Sequence, residues 1–539
     1  MSSLLIITIE YHHHLPAIVY AVVVLPLLVL INFRILGSFI MSASMPAYMS
    51  DPTDEQLSAL NMAMDHKSFK VVAYAGAGKT TTLKLIGERL RGRGLYLAFN
   101  KTIANDARQK FPPHVECRTF HSLAYRHVAR DITAKLSLPR FSPKRLGDDL
   151  GLQPVQVRRQ IDGANKYITL TPARLSRFVS DAVSHFCSTH ASYPAPRHIL
   201  FPSWLDESDA EQLREMLYPA VEQRWLQSID ARHPAGIGHD IYLKLWALSK
   251  PSIPADFILF DEAQDADPLM MGILTQQPRQ VIYVGDAHQQ IYEWRGAVNA
   301  MKKLPLPQTL LTQSFRFGEP IAEVANTLLK ALQEDVPLKG NPNKQSSTEK
   351  GMVHSKKDAI LCRTNAAAMS QLLTGLKLGH RVALQADTDR MLKFCQAAEN
   401  LKNGKSAYGV PELAYFYNWG DVQEYAETNE GSDLKTLVKL VDDHGTNVLS
   451  QAVNSLTSIE NADYVISTAH KAKGLEWGKV QLDDDFYYDV TTNAVKISPE
   501  ELRLLYVACT RAQSNLDIHN IKDLISGLQT GKKVIFGNS

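Results

Sequence analysis

The sequence predicts an α/β fold shared among several domains, on three observations. "FKVVAYAGAGKTTTLKLIGERL" reads as strand, glycine turn and helix in direct succession. "FILFDEAQDAD" reads as a short buried strand ending in two carboxylates. The chain has 539 residues, too many for one domain at roughly 150 residues each. An apolar content of 45% supports ordinary globular cores. A formal net charge of +2 excludes a globally basic surface, so any nucleic acid must be met by a local groove. The five cysteines are scattered and form no CxxC pair, which argues against a zinc or iron–sulfur site and against a disulfide framework. A reducing compartment fits.

In chain order, residues 1–45 come first. Residues 11–33 carry no formal charge with neutral histidines, and Arg34 follows. By length this leader spans a bilayer and would leave the rest in the cytosol. The other reading is an over-extended start, with Met41, Met45 or Met49 as the true first residue. A signal peptide fits less well, because no Lys or Arg precedes the apolar run.

Next, residues 69–74 form a buried strand, and Leu83, Ile86 and Leu90 give the following helix its period. Strand, Gly-rich turn and helix is the setting a phosphate loop requires. Backbone N–H groups of Ala75, Gly76, Ala77, Gly78, Lys79, Thr80 and Thr81 would surround phosphates at the helix N-terminus. Lys79 would reach the β- and γ-phosphates of ATP, and the Thr80 hydroxyl would hold Mg²⁺. The general pattern has glycine where this chain has Ala73. Further on, Asp261 and Glu262 close an apolar run at 257–260. Asp261 would bind Mg²⁺ through water, and Glu262 would take a proton from the attacking water.

At this point the motifs carry a resemblance. "DEAQD" (261–265), "VGDAHQQIYEWRGA" (284–297), "QSFRF" (313–317), "STAHKAKGLEW" (467–477) and "EELRLLYVACTRA" (500–512) follow one another in order. The chain from about 53 to 518 resembles the UvrD/Rep-type superfamily 1 DNA helicases. "GHDIYLKLWALSKP" and "GDAHQQIY" most resemble the helicase part of F-box DNA helicases and their bacterial and phage relatives. In this family the loop commonly reads AxAGxGKT, which accounts for Ala73. The resemblance implies two RecA-like domains with the ATP site between them. RecA-like domain 1A would occupy 46–122 and 236–300, with a helical insertion 1B at 123–235. Domain 2A would occupy 301–385 and 456–530, with a reduced insertion 2B at 386–455 and a tail at 531–539.

The resemblance also implies roles. Gln56 would read adenine, Phe315 would stack on it where relatives have tyrosine, and Glu476 would touch ribose. Gln289 would sense the γ-phosphate, and Arg316 and Arg511 would act as arginine fingers. Thr81 stands where relatives often carry an adenine-stacking arginine. For DNA, Phe99 and Asn100, then Thr119, Phe120 and His121, match the first two contact motifs. Tyr292 and Trp294 share one face of an extended chain and would stack on bases, each such contact contributing about 1–3 kcal/mol. Arg363 and Asn365 would meet the backbone, and Thr468 and His470 would couple DNA to ATP. In the insertion, "DDLGLQPVQVRRQI" reads as an amphipathic helix, and Lys144, Arg145, Arg158 and Arg159 read as solvated faces.

The implied function is ATP- and Mg²⁺-dependent 3′–5′ movement on single-stranded DNA, acting at single-strand/duplex junctions in repair, recombination or replication. Two alternatives stand: a DNA-stimulated ATPase that strips proteins with little unwinding, and a non-hydrolysing DNA-binding scaffold. A monomer in the cytoplasm at the nucleoid is expected, with recombination or replication proteins as partners. Tethering to the cytosolic face of a membrane follows only if the leader is real.

Overall fold

Two six-stranded sheets, each wholly parallel, organise the chain in the computed structural model. The structure describes residues 51–161, 164–202, 205–293, 298–349, 357–385, 387–407, 409–410, 412–414, 416–426 and 432–537. The leader at 1–45 and Trp294 therefore lie outside the described residues. Contacts divide the chain into an N-terminal unit ending at Leu57 and a second unit from Ser58 onward. Among the described residues no helix is long and apolar enough to cross a membrane.

Helix α1 (Asp54–Met64) leads to strand β1 (Phe69–Ala73), helix α2 (Lys79–Arg89) and strand β2 (Gly94–Ala98). Then come α3 (Lys101–Lys110), β3 (Val115–Thr119) and α4 (Phe120–His127). Strands β1 and β2 are buried on both faces, which explains their near-continuous apolar runs. The insertion follows, with strands β4 (Val155–Ile161) and β5 (Ala164–Leu170) and helices α5 (Pro172–Cys187) and α6 (Glu207–Ile229). Helix α7 (His239–Leu248), β6 (Phe257–Phe260), α8 (Pro268–Thr275), β7 (Gln280–Gly285) and β8 (Gln308–Leu311) complete the first sheet. Its order is β3-β2-β6-β7-β1-β8. One apolar layer holds Leu83, Ile86 and Phe257, and a separate one holds Leu97, Phe120 and Trp246.

The second half runs α9 (Glu319–Ala331), β9 (Ser347–Glu349), β10 (Ala359–Cys362), α10 (Asn365–Lys377) and β11 (Val382–Gln385). Helices α11 (Thr388–Lys402), α12 (Trp419–Ala426) and α13 (Ser432–Asn454) fill the expected second insertion. The chain ends with β12 (Tyr464–Thr468), β13 (Trp477–Leu482), β14 (Asp489–Val490), β15 (Ala494–Lys496), α14 (Pro499–Cys509), β16 (Ala512–Asp517), α15 (Lys522–Gln529) and β17 (Lys533–Ile535). The second sheet is ordered β11-β12-β10-β13-β16-β9.

Two sequence expectations are corrected. The boundary at 301 falls too early, because β8 pairs with β1 and belongs to the first sheet. The first insertion is not all helical. In the 148–161 stretch the helix Pro143–Asp149 stops, and Val155–Ile161 pair antiparallel with Ala164–Leu170. Pro154 bars continuation of a helix, and Val155 and Val157, two apart, share one face of an extended strand. Arg158 on that strand is not a free solvated cation: it pairs with Asp206 and Asp209, each at 2.8 Å.

Candidate ATP site and DNA-facing residues

The candidate residues collect at the carboxyl ends of the parallel strands, where α/β sheets bind ligands. Strand β1 feeds the loop, β6 ends at Asp261 and β7 ends at Gly285. With β7 between them, β1 and β6 lie about 10 Å apart, two strand spacings. That distance suits residues that flank one phosphate group.

The loop turns on Gly76 (φ +70°) and Gly78 (φ +78°), both left-handed. Helix α2 starts at Lys79 with no side-chain cap, so its first N–H groups suit anionic oxygens. A Cβ on Gly76 would lie 2.6 Å from Ser314 Oγ and 2.8 Å from Arg316 Cβ. The loop is thus in contact with the 313–317 segment. The Phe315 N–H donates to the Gly76 carbonyl at 2.8 Å, and the Phe315 ring is half-buried. Thr81, in the first turn of α2, is exposed. Within the N-terminal unit, Gln56 turns back on its own helix start: its Oε1 accepts from the Thr53 N–H at 3.1 Å.

Asp261 is buried and accepts from the Tyr96 hydroxyl at 2.7 Å. Burial and the adjoining Glu262 push its carboxyl above the usual range. Glu262 sits at φ +53°, a left-handed backbone rare outside glycine. Such strain costs about 1–3 kcal/mol and gathers at functional sites. Burial alone would raise the Glu262 carboxyl, but the ammoniums of Lys79 and Lys473 outweigh it and hold it below the usual range. Lys79 Nζ lies 4.0 Å from Glu262 Oε1, and Lys473 Nζ lies 3.9 Å from Glu262 Oε2. Gln264 Nε2 donates to Glu262 Oε2 at 2.5 Å. Thr80, at the start of α2, is partly buried.

The remaining candidates lie in the segments after β7 and β8 and around the second sheet. Arg316 Nε donates to Glu476 at 2.6 Å and its NH1 to the Thr510 carbonyl at 2.8 Å. Arg511 is 1% exposed, and its guanidinium donates only to the Val507 and Leu475 carbonyls and the Thr510 hydroxyl. Among the described residues it forms no ion pair, and burial, then Arg316, lowers its pKa. A buried cation with neutral partners is suited to an incoming anion. Gln289 donates to Asp286 Oδ2 at 2.8 Å. The Tyr506 hydroxyl accepts from the Ala75 N–H and donates to that same Asp286 oxygen, both at 3.1 Å.

Of the residues expected to meet DNA, Phe99 is 44% exposed and stacks parallel on Tyr292, with centroids 5.8 Å apart and planes at 10°. The Tyr292 hydroxyl donates to the His470 carbonyl at 3.2 Å. Asn100 and Thr119 cap α3 and α4, accepting from Ile103 N and Ser122 N. His121 Nε2 lies 3.9 Å from Asp240, with the Tyr242 ring edge-on to it. Phe120 is a correction. It is 2% exposed and packs edge-to-face on Phe260 in the core, where no base reaches it. Its position just after β3 makes it the inward-facing first residue of α4. Thr468 is buried at the end of β12 and its hydroxyl accepts from Lys471 N at 3.4 Å. Arg363 is held by buried Glu501 at 2.9 Å, and Asn365 opens α10, partly buried.

Sequence reasoning passed over Lys473, Tyr96, Gln264 and Tyr506. Lys473 and Tyr506 stand inside quoted motifs, but only the fold brings a residue near 470 against one near 265. Among the described residues no group of three or more His, Cys, Asp or Glu is arranged to hold a metal by itself. Mg²⁺ ordinarily takes one or two protein groups, phosphate oxygens and water. The buried Asp261 carboxylate and the Thr80 hydroxyl are groups of that kind.

Residues 56–295 match the AAA domain family, and residues 379–523 match the UvrD-like helicase C-terminal domain. The F-box DNA helicase 1 of Gallus gallus is 30% identical over 517 residues, covering 86% of this chain and 48% of that protein. The F-box DNA helicase protein 1 of Schizosaccharomyces pombe is 30% identical over 512 residues, covering 86% and 56%. The ATP-dependent DNA helicase PcrA of Leuconostoc citreum is 26% identical over 311 residues, covering 50% and 38%. The chain spans about half the length of the first two of these relatives. With two RecA-like P-loop domains carrying these motifs, the chain belongs to the UvrD-like superfamily 1 helicases.

Proposed function

We propose that this protein is an ATP-dependent motor that moves 3′ to 5′ along single-stranded DNA and opens duplex at junctions, in repair, recombination or replication. The observation that supports it best is a hydrolytic site assembled from both sheets. Lys79, Asp261, Glu262 and Gln289 follow strands of the first, Arg316 lies in the segment after β8, and Lys473, Tyr506 and Arg511 belong to the elements around the second. Phosphoryl transfer depends chiefly on position and charge stabilisation, and an arginine completing such a site contributes roughly 10³–10⁵ in rate. A site completed by a second domain makes hydrolysis depend on how the two domains meet.

In this reading Glu262, kept ionised by two lysines, accepts the proton of the attacking water. Lys79 and the α2 N-terminus bind the phosphates, and Arg316 and Arg511 stabilise the charge that builds on the γ-phosphoryl group. Asp261 and Thr80 would hold Mg²⁺, which neutralises phosphate charge when bound. Phe315 takes the base and Glu476 the ribose. Phe99 and Tyr292 provide a stacking platform, and Arg363, Asn365, Thr119, Asn100, His121 and His470 contact the strand.

The test is ATP turnover with and without single-stranded DNA, for wild type and Lys79→Ala. Stimulation by DNA in the first and loss of turnover in the second are expected. Absent stimulation, or full turnover in the variant, rejects the motor. A duplex with a 3′ or a 5′ tail then reads polarity. A second reading, protein stripping with little unwinding, is favoured by the small extent of the second insertion, whose described helices fall within 388–454, the last of them kinked at Gly445. A tailed duplex left intact while a bound protein is displaced supports that reading.

A further inference from the structure

Helix α14 touches every part of the proposed machine. Near its start Glu501, with its side chain 4% exposed, accepts from Arg363 Nε at 2.9 Å and from the Tyr487 N–H at 3.0 Å. The Arg363 guanidinium also sits over the ring of Tyr487, 4.8 Å from its centroid. Two residues on, Arg503 donates to Glu293 at 2.7 Å and to Glu500 at 3.1 Å. Glu293 directly follows Tyr292, the partner of Phe99. Further along, Tyr506 holds the Ala75 N–H of the phosphate loop and Asp286. At the helix end the Thr510 carbonyl accepts from Arg316, and Arg511 follows. From Glu501 to Cys509 the helix rises about 12 Å, at 1.5 Å per residue.

This helix has little freedom to bend. Leu502, Leu504, Leu505, Tyr506, Val507, Ala508 and Cys509 are all buried in one apolar cluster. Close-packed elements shift as units between discrete arrangements rather than deforming continuously. Two of its polar contacts also have no call to lie there for folding alone. Glu501 is a buried carboxylate whose ionised form needs a cation, and the cation supplied is Arg363, at the mouth of β10. Among the described residues Arg503 keeps its Nε buried without a hydrogen-bond partner while its NH2 reaches Glu293.

We propose that α14 is a lever joining the DNA-facing surface to the ATP site, with Glu501 and Arg503 as positioning residues at its DNA end. Strand engagement at Arg363 and at the 292–293 segment bears on the helix through these two side chains. The helix then sets Tyr506 against the phosphate loop and presents Arg511 and Arg316. The lever rests on the motor reading above.

The test uses the full chain with Glu501→Gln and, separately, Arg503→Gln. Glutamine keeps the Oε1 acceptor for the Tyr487 N–H and replaces the oxygen that accepts from Arg363 with an amide NH2, so the charge and that one acceptor are removed. Three quantities are read: ATP turnover without DNA, affinity for a labelled oligonucleotide without nucleotide, and turnover at saturating oligonucleotide. Expected are basal turnover and oligonucleotide affinity close to wild type, with the DNA-stimulated increment reduced about tenfold, inside the roughly 5- to 150-fold range of site-to-site coupling. In a double-variant cycle, Arg363→Gln should add little to the loss already caused by Glu501→Gln. Equal stimulation in wild type and both variants overturns the lever and leaves the motor standing. A parallel fall in basal and stimulated turnover in both variants marks a merely structural role and also overturns it. A wild type that DNA fails to stimulate removes the motor reading itself, and the lever with it. Should Glu501→Gln fail to fold, Arg503→Gln, whose two carboxylate partners are both largely exposed, decides alone.

Discussion

Lys473, from the second sheet, forms a buried ion pair with Asp265 of the first, and the same ammonium lies 3.9 Å from Glu262. It also donates to the Gln289 carbonyl at 2.7 Å. One cation thus fastens the two sheets and lowers the proton affinity of the proposed base. Lys473→Met keeps the stem and removes the charge. Glu262 then loses one of the two cations that hold its carboxyl down, so its pKa rises. The acidic limb of the turnover–pH profile should move to higher pH, because more of the base is protonated at any given acidity. Removing one partner of a buried pair also costs roughly 3–5 kcal/mol of stability, which a melting curve will register. An unmoved acidic limb in a folded variant would exclude Lys473 from tuning Glu262.

Tyr506→Phe removes one hydroxyl that serves two groups, the Ala75 N–H and Asp286. Leaving a buried donor unpaired costs about 1–3 kcal/mol. The phosphate loop loses its tie to the second sheet, so turnover should fall roughly tenfold, equivalent to about 1.4 kcal/mol. Oligonucleotide affinity without nucleotide should stay unchanged. Steady-state turnover and anisotropy on the same preparation separate the two, and an equal loss in both would contradict this assignment.

Much of this site was legible in the sequence, and the reason is local. Phosphate loops, acidic strand ends and arginine motifs are contiguous, and their residues act within a few positions of each other. Tertiary partners were not legible. Tyr96 lies 165 positions from Asp261, and Lys473 lies 208 from Asp265. Neither carries a local mark of its role. Phe120 failed for a different reason. A contact motif reads as a string, yet alternate residues of such a string face opposite ways, and this one faces Phe260. The β4–β5 hairpin was missed because its arginines were read at helical spacing, although Pro154 stands before them.

Gly285→Ala tests how closely Glu262 is held. A Cβ there would lie 2.3 Å from Gln264 Oε1. Gln264 is the side chain that donates to Glu262 and accepts from the Asp286 N–H at 3.1 Å. The methyl group must displace it, and the base moves with it. Misplacement on the order of 1 Å can cost about 10²-fold in rate. Turnover should fall by that order while binding of a fluorescent ATP analogue persists. Wild-type turnover in Gly285→Ala would mean that Gln264 does not set the position of Glu262.

Phe99→Ala tests the stacking platform. Phe99 is exposed and lies parallel to Tyr292, and a base–aromatic contact contributes about 1–3 kcal/mol. The oligonucleotide concentration giving half-maximal stimulation should rise by roughly 5- to 150-fold, the equivalent of that range. Turnover without DNA should not change. Phe120→Leu serves as the control, since a core ring should alter the melting temperature before it alters the DNA dependence. The reverse pattern in these two variants would place the strand elsewhere.

Asp267 gives a pH-dependent stability that the chemistry of the site does not touch. It caps α8, accepting from the Met270 N–H at 2.7 Å, and burial raises its carboxyl from the ordinary 3.8 to about 6. Between those two values the folded state holds a proton that the unfolded chain releases. Its contribution to stability is therefore present below about pH 4, declines as pH rises toward about 6, and stays lost above that. Asp267→Asn retains a capping oxygen and cannot ionise. Relative to wild type, its melting temperature should be higher at about pH 7.5 than at about pH 5, since only the wild type loses stability across that interval. Thermal melts at the two values decide the matter, and a difference between the proteins that is independent of pH would show that Asp267 does not titrate with folding.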